Sequence, residues 1–281
     1  MELYLPAAVD RLPRHKRRLL AACEVGRAEP DVVGMAIAGS FVDGKPDEYS
    51  DLDLRVVVRD GTLEGVFSRR EEIASNSGPL IAAFTGEHVG EPQLLITLYE
   101  DLVHVDFLFV ALADAAERNL GRQVQVLWER THEVSAALSH PYVADPVADL
   151  NYLEARIWTW TWYIQSKILR GELWEAASAL NFVRDAALFR LLALEHGMRF
   201  RGARHVQGLL GGRAVTFAQT QTAVEQLALL AALRATVRLY LELADPLLAG
   251  HGVLPNIEAR KIVMRALDAG LSWRPDDTER G

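Results

Sequence analysis

The segment from Gly34 to Val58 constrains the fold of this chain more than any other part of it. It reads as a strand, a Gly39–Ser40 turn, a polar connection and a second strand that opens with Asp51 and Asp53. Side chains alternate along a strand, so both carboxylates lie on one face. Because adjacent carboxylates repel each other, they predict a hard cation between them, such as Mg2+, which commonly comes with phosphates. Gly39 lets the backbone approach a phosphate closely, and Ser40 adds a hydroxyl.

A third acid lies in a later strand. Val103–Val110 is rich in β-branched and aromatic residues, which predicts a strand, and Asp106 lies inside it. An unpaired carboxylate among apolar neighbours is costly to bury, so Asp106 is interpreted as a metal ligand or a general base. His104 shares the predicted face of Asp106, and it either touches the same site or is hydrogen-bonded locally.

These motifs together resemble a known superfamily. The Gly39–Ser40 turn, the Asp-Leu-Asp sequence that starts at Asp51 after ten intervening residues, and the strand acid Asp106 resemble the DNA polymerase β-like nucleotidyltransferases. The small size and the helical second half resemble the aminoglycoside and lincosamide nucleotidyltransferases within it. The motif resemblance covers about residues 30–112. It implies an α+β fold, with a mixed sheet and flanking helices followed by an all-α helical bundle, and an active site in the cleft between the two.

The resemblance also implies the chemistry. Asp51, Asp53 and Asp106 would bind Mg2+ and act in catalysis, while Gly39–Ser40 holds the terminal phosphates of a nucleoside triphosphate, with ATP as the expected donor. The hydroxyl of a small acceptor attacks the α-phosphorus and pyrophosphate leaves. The best single acceptor hypothesis is an aminoglycoside-like antibiotic, which would make the protein an antibiotic-resistance enzyme. The alternatives are transfer to a protein or an RNA end, and a non-catalytic nucleotide-binding or toxin–antitoxin module.

The composition of the chain limits the classes of molecule that the protein is expected to bind. The net charge of −8 argues against nucleic acid, whose phosphates require Lys and Arg, and favours a cationic acceptor. The single cysteine, Cys23, excludes a disulfide framework and a cysteine-based zinc site. A secretory signal and an apolar run of about 18–20 residues are both missing, so we expect a cytoplasmic protein without membrane partners. The length allows a nucleotidyltransferase domain over residues 1–143 and a helical substrate-binding domain over 144–281.

The first half of the chain alternates helical and strand patterns. Apolar spacing predicts helices over about residues 7–27 and 62–76, and a short strand over Leu94–Leu98 that forms a hairpin with the strand of Asp106. The glycine- and proline-rich stretch before Leu94–Leu98 predicts a loop. The basic cluster Arg14–Arg18 is interpreted as a solvated helix face, with anion binding as the alternative.

The second half reads as four helices that form an antiparallel bundle. Apolar spacing and turn signals predict these helices over about residues 146–170, 172–196, 215–244 and 255–270. Trp158 lies four residues before Trp162, and the pair is interpreted as core packing, with an aromatic wall for a ligand as the alternative.

Three residues of this half are candidates for ligand binding through the resemblance. Lys167 is the candidate for the helical-domain lysine that binds the triphosphate in related enzymes, although a surface lysine with a buried stem is equally consistent with the pattern. Asp185 is the first candidate, and Glu154 the second, for the helical-domain carboxylate that binds the ammonium groups of the acceptor or activates its hydroxyl. Arg184 could form a surface ion pair with Asp185.

Overall fold

The computed structural model describes residues 2–119, 123–139, 145–204 and 206–274. The chain forms two compact units, Met1–Val143 and Ala144–Gly281. The predicted domain boundary, between residues 143 and 144, lies outside the described residues. Among the described helices, none combines the length and the apolar character that a membrane crossing requires.

Six strands form one sheet in the first unit. In chain order they are β1 (Val32–Ala38), β2 (Leu52–Val58), β3 (Leu80–Gly86), β4 (Glu91–Tyr99), β5 (His104–Ala111) and β6 (Gln125–Glu129). Their order across the sheet is β3-β4-β5-β2-β1-β6. Strands β2 and β5 run parallel, and the other neighbouring pairs run antiparallel. The predicted mixed sheet is confirmed.

Short helices flank this sheet, as predicted. They are α1 (Pro13–Ala28), α2 (Ser40–Asp43), α3 (Leu63–Ser68), α4 (Arg70–Asn76), α5 (Ala115–Asn119) and α6 (Glu133–Leu138), with 3-10 turns at Ala7–Arg11, Glu87–Val89 and Leu112–Asp114. Helices α1, α3 and α4 supply apolar side chains to the larger core, which they share with the sheet face that carries Leu52 and Leu54. The opposite face carries the acids.

The opposite face is only partly covered. Helices α5 and α6 pack their apolar side chains against Val57 and Val110, near the carboxyl ends of β2 and β5. The acids lie at the other end of these two strands, where the strands begin. A small apolar core therefore covers one end of this face, and the acids lie at the end that this core does not cover.

The strand register places residues from four strands in one row. Asp53 of β2 is opposite Asp106 of β5, Asp106 is opposite Ile96 of β4, and Ile96 is opposite Phe84 of β3. Directly opposed residues point their side chains to the same face of a sheet. The acids and the two apolar side chains therefore share a face.

The structure corrects several boundaries in the first unit. The stretch predicted as a loop contains the edge strand β3, because its seven residues carry no charge and pair with β4 despite the Gly78-Pro79 sequence before them. The segment that ends near Trp128, whose pattern is that of an edge segment or a loop, contains β6, which pairs with β1 at the edge of the sheet. The helix predicted over residues 62–76 is divided at Arg69 into α3 and α4.

The basic cluster of α1 is not a uniformly solvated face. Arg18 is 4% exposed and donates to the Ser77 carbonyl oxygen at 2.6 Å and to Asp101 Oδ2 at 3.0 Å. Its guanidinium also lies over the Tyr99 ring, 3.9 Å from the centroid. His15 is buried as well. The prediction was wrong for these two residues because their polar groups find partners within the unit, which offsets the cost of burial.

The described part of the second unit is built from helices. They are α7 (Pro146–Glu154), α8 (Ile157–Leu169), α9 (Leu173–Val183), a π-helical turn (Arg184–Leu188), α10 (Phe189–Glu195), α11 (Val206–Leu209), α12 (Ala214–Ala218), α13 (Gln226–His251) and α14 (Ile257–Ala269), with 3-10 turns at Gly211–Arg213 and Gly270–Ser272. One apolar core joins the longer helices. The predicted helical character is confirmed, and the boundaries differ.

Two of the four predicted helices are interrupted. The helix over 146–170 breaks at Arg156, whose φ of −126° is not helical, and the helix over 172–196 contains the π turn at Arg184–Leu188. The third begins later than predicted and continues through Pro246 to His251. Proline removes one backbone hydrogen bond of a helix, and the buried leucines on either side of Pro246 keep α13 packed in the core.

Candidate active site

Three carboxylates converge at the start of β2 and β5. One oxygen from each of Asp51, Asp53 and Asp106 lies within 4.8 Å of the others, and all three side chains are half-buried. Asp53 and Asp106 are direct neighbours across the parallel strands, and Asp51 immediately precedes β2. The structure thus brings together the three acids that the motifs predicted.

The Gly39–Ser40 turn lies against Asp53. Gly39 has a φ of +70°, and a Cβ at this position would lie 2.1 Å from Asp53 Oδ2, so a larger residue cannot occupy it without displacing the carboxylate. Ser40 begins α2, and its Oγ is buried without a hydrogen bond to any described residue. The glycine is therefore required by the acid site as well as by the turn.

His104 lies at the site. The sequence had allowed either this position or a local hydrogen bond elsewhere. Its Nε2 is 2.9 Å from Asp106 Oδ1. The Asp106 carboxylate raises the pKa of His104, burial opposes this rise, and the charges of Asp51 and Asp53 add to it. The imidazole therefore adds a basic group beside three acids.

Helix α1 holds the loop that leads into Asp51. His15 Nε2 donates to the Ser50 carbonyl oxygen at 2.8 Å, and the His15 ring packs against Phe41 of α2 with centroids 5.7 Å apart. His15 therefore connects the turn after β1 with the loop before β2. A lone histidine in a basic cluster gave no sequence signal for this positioning role.

Arg55 is a second residue that the sequence analysis missed. It follows Asp53 by two positions on β2, so it lies on the acid face, and it is 3% exposed. It stands opposite Ala36 on β1 and Leu108 on β5. Its guanidinium places a buried positive charge on the sheet face that carries the acids. The spacing of two from Asp51 through Asp53 to Arg55 was the available signal.

The other predicted ligand residues lie in the second unit. Lys167 Nζ is 2.6 Å from Glu172 Oε2. Both carboxylate oxygens of the buried Glu154 are engaged, one by the Tyr240 hydroxyl at 2.6 Å and one by the Asn256 backbone N–H at 2.9 Å. Asp185 is exposed on the π turn. The ligand roles of Lys167, Glu154 and Asp185 stay predictions.

The two tryptophans of α8 and the nearby Arg184 all contact other residues of the second unit. Trp158 is 3% exposed and packs edge-on against Tyr240, as the core interpretation expects, whereas Trp162 packs against Trp273 with centroids 4.5 Å apart. Arg184 is 6% exposed and donates to Thr220 and to Asn181, so it is not a surface ion pair with Asp185.

The donor set at the acids fits a hard divalent cation. Three half-buried carboxylates within 4.8 Å repel one another, and a cation with oxygen ligands removes that repulsion. The Gly39 backbone lies against Asp53, and the next residue, Ser40, has a hydroxyl without a partner among the described residues. A glycine backbone and a hydroxyl are groups that can hold phosphate oxygens. The arrangement can therefore bind a metal together with a phosphorylated ligand.

No known family model matches this sequence, and no curated protein matches it. Among solved structures, an aminoglycoside 6-adenyltransferase from Bacillus subtilis is similar, with a TM-score of 0.41 and 13% identity over 89% of this chain and 96% of that chain. A nucleotidyltransferase-like protein from Exiguobacterium sibiricum 255-15 has a TM-score of 0.40 and 13% identity, covering 83% and 77%. An apo CCA-adding enzyme has a TM-score of 0.33 and 13% identity, covering 85% and 55%.

Proposed function

We propose that the protein is a metal-dependent nucleotidyltransferase that moves a nucleoside monophosphate, with AMP from ATP as the first candidate, to a hydroxyl of a small molecule. The observation that carries this proposal is the convergence of Asp51, Asp53 and Asp106 within 4.8 Å, with Gly39 packed against Asp53. A side chain at position 39 would collide with Asp53 Oδ2, so the glycine is matched to this carboxylate. This fit supports a built site rather than a chance cluster.

Each residue has a role in this reaction. Asp51 and Asp53 would hold Mg2+, which would neutralise phosphate charge and make the α-phosphorus easier to attack. Gly39 and Ser40 orient the terminal phosphates through the backbone and the hydroxyl. Asp106 either contributes to a second cation site or accepts the proton of the attacking hydroxyl. A new bond forms between that oxygen and the α-phosphorus, and the bond to pyrophosphate breaks.

The acceptor that we propose to test first is an aminoglycoside-like antibiotic, and resistance would be the biological result. The net charge of −8 and the acid site suit a cationic, hydroxylated compound better than a nucleic acid. Asp185 is exposed and is the first candidate to bind its ammonium groups, whereas the oxygens of Glu154 already accept hydrogen bonds. Lys167 remains the candidate for the triphosphate and would have to leave Glu172. A cytoplasmic location would give access to ATP.

The first experiment measures pyrophosphate release with Mg2+, each of the four nucleoside triphosphates, and a pool of aminoglycosides and lincosamides. We expect a small adenylylated product. Asp51→Asn and Asp53→Asn should each lower turnover about 100–1000-fold, since such losses are typical when one charge-stabilising group is removed from an active site. Their unfolding midpoints should not fall, because each substitution reduces the repulsion among the acids.

Asp114→Asn is the matched control because it neutralises an exposed carboxylate of the same unit outside the acid group. It should keep full activity. Full turnover in either Asp51→Asn or Asp53→Asn would contradict the metal assignment. A label that appears on protein or RNA would replace the small acceptor with a macromolecular one, and nucleotide binding without pyrophosphate release from any acceptor would favour a binding module.

A further inference from the structure

The acid face of the sheet continues as an apolar surface across β4 and β3. Ile96 stands directly opposite Asp106, and Phe84 stands directly opposite Ile96. One step along the strands, Leu98 stands opposite His104. We refer to Phe84, Ile96 and Leu98 as the apolar platform.

The apolar platform is accessible to a ligand. Phe84 is 52% exposed, and Ile96 and Leu98 are half-buried. Neighbouring strands lie about 4.8 Å apart, so the row from Asp106 through Ile96 to Phe84 spans roughly 10 Å. This is about the length of a substituted six-membered ring. The apolar platform therefore runs from the acids to an exposed aromatic ring.

The order of the strands indicates whether this surface lies on the side of the nucleotide or on the side of the acceptor. The Gly39–Ser40 turn follows β1, and β1 lies on the side of β2 opposite to β5 and β4. With the terminal phosphates at Gly39–Ser40, the leaving pyrophosphate lies on the β1 side of the acids. In-line displacement requires the attacking oxygen on the opposite side of the phosphorus. The acceptor therefore approaches from the side of Asp106, where the apolar platform begins.

We propose that the apolar platform binds an apolar portion of the acceptor, an aryl or alkyl group within roughly 10 Å of the hydroxyl that attacks. This inference rests on the proposed function and narrows its acceptor class to hydroxylated compounds that carry an apolar group near the attacking hydroxyl and any ammonium groups elsewhere. An acceptor with ammonium groups in that position would lose their hydration against Phe84 and Ile96, which is costly. An aryl or alkyl group there removes apolar surface from water on both sides of the contact.

The test uses two probes that carry the same set of hydroxyls, phenyl β-glucoside and methyl β-glucoside. Mn2+ with a non-hydrolysable α,β-methylene ATP serves as a paramagnetic reporter at the acids, and the relaxation of probe protons is measured by NMR. Because only the phenyl group covers the apolar platform, we expect it to improve affinity about tenfold, which corresponds to about 1.4 kcal/mol. Phe84→Ser should remove this difference, and Phe84→Leu should keep most of it.

Ile81→Ser is the matched control. Ile81 is 53% exposed on the same strand, but it lies in a β-bulge outside the row that contains Asp106. Ile81→Ser should leave the preference for the phenyl probe unchanged. Electron paramagnetic resonance should show that Mn2+ binds to Phe84→Ser, Phe84→Leu and Ile81→Ser, which means that the acid site is intact in each.

The experiment distinguishes a failure of the apolar platform from a failure of the proposed metal site. Equal relaxation of the two probes, or no effect of Phe84→Ser while Mn2+ is bound, would overturn the apolar platform and leave the proposed function standing. Mn2+ that does not bind to the wild type, or that binds equally to an Asp51→Asn, Asp53→Asn double variant, would overturn the proposed metal site and the inference with it.

Discussion

At the scale of single residues, Gly39 is the sharpest test of the acid site. A Cβ there would lie 2.1 Å from Asp53 Oδ2, so Gly39→Ala should displace this carboxylate. We expect Mn2+ affinity and turnover to fall at least about tenfold, the equivalent of about 1.4 kcal/mol. Titration of Mn2+ by electron paramagnetic resonance measures the first, and pyrophosphate release measures the second.

Gly44 provides the control for this substitution. Its φ of +78° is close to the +70° of Gly39, but a Cβ at Gly44 would meet nothing within 4 Å. Gly44→Ala therefore carries the backbone strain of a left-handed residue, about 1–2 kcal/mol, without the collision, although the ψ of Gly44 is 13° and that of Gly39 is −148°. It should lower the unfolding midpoint and leave the Mn2+ affinity unchanged. Equal loss of metal binding in both variants would mean that backbone strain, and not contact with Asp53, explains the effect.

Glu154 gives a second prediction at this scale. The buried Tyr240 hydroxyl donates to its carboxylate at 2.6 Å, and burial raises the pKa of Tyr240, so the phenol stays a neutral donor. Tyr240→Phe leaves a buried carboxylate oxygen without this donor. We expect a loss of about 1–3 kcal/mol in the free energy of unfolding, measured by denaturant titration.

Tyr163→Phe is the comparison for that loss. The Tyr163 hydroxyl also donates to a carboxylate at 2.6 Å, that of Glu175, but this pair is exposed to solvent. Water replaces the missing partner, so the cost should stay below about 0.5 kcal/mol. Similar losses in Tyr163→Phe and Tyr240→Phe would contradict the structural role of the buried Glu154 and leave its carboxylate open for a ligand.

At the scale of elements, Arg184 at the start of the π turn between α9 and α10 is held by hydrogen bonds that include the side chain and the backbone carbonyl oxygen of Thr220. Arg184 Nε donates to Thr220 Oγ1 at 2.8 Å, and Thr220 is fully buried. Thr220→Val keeps the shape and removes the acceptor, so we expect a loss of about 1–3 kcal/mol in stability. Thr236→Val is the control, since the Thr236 hydroxyl donates only within its own helix, to Ala232 O at 2.8 Å. Circular dichroism with urea would measure both, and equal losses would contradict this role of Arg184.

The errors of the sequence analysis also belong to this scale. Strand β3 was missed because Gly78-Pro79 signals a turn and says nothing about the seven uncharged residues that follow. The π turn at Arg184 could not be predicted, because its support comes from Thr220, 36 residues away. The burial of Arg18 likewise depends on Asp101, a partner that local periodicity does not contain.

At the scale of the whole molecule, the acids were predictable and their surroundings were not. Asp51 and Asp53 follow from strand alternation, and Asp106 from a charge inside an apolar strand. Their convergence requires β2 and β5 to pair in parallel with Asp53 opposite Asp106, which is a property of the sheet. The role inferred for Phe84 became visible only with that register.

The two units offer separate reporters of unfolding. Burial raises the pKa of Cys23, in the core of the first unit, to about 12, so the thiolate that reacts with Ellman's reagent is scarce at pH 8. The intact protein should therefore react slowly, and reaction should accelerate when the first unit unfolds. Five of the six tryptophans belong to the second unit, so fluorescence follows mainly that unit. Fast labelling without denaturant would contradict the buried position of Cys23.

The parallel pairing of β2 with β5 also affects how the chain folds. Strand β2 can pair with β1, which is close in sequence. Its other edge stays unpaired until β5 is available, and the first residue of β5 is 52 residues after the first residue of β2. Loops of this length close slowly, and the closure brings Asp106 against Asp53 at a cost in charge repulsion. A nascent chain that ends before residue 104 therefore exposes the free edge of β2, where strands of other chains can add and aggregation can begin. The strand that completes the acid site is thus also the one that protects the growing sheet.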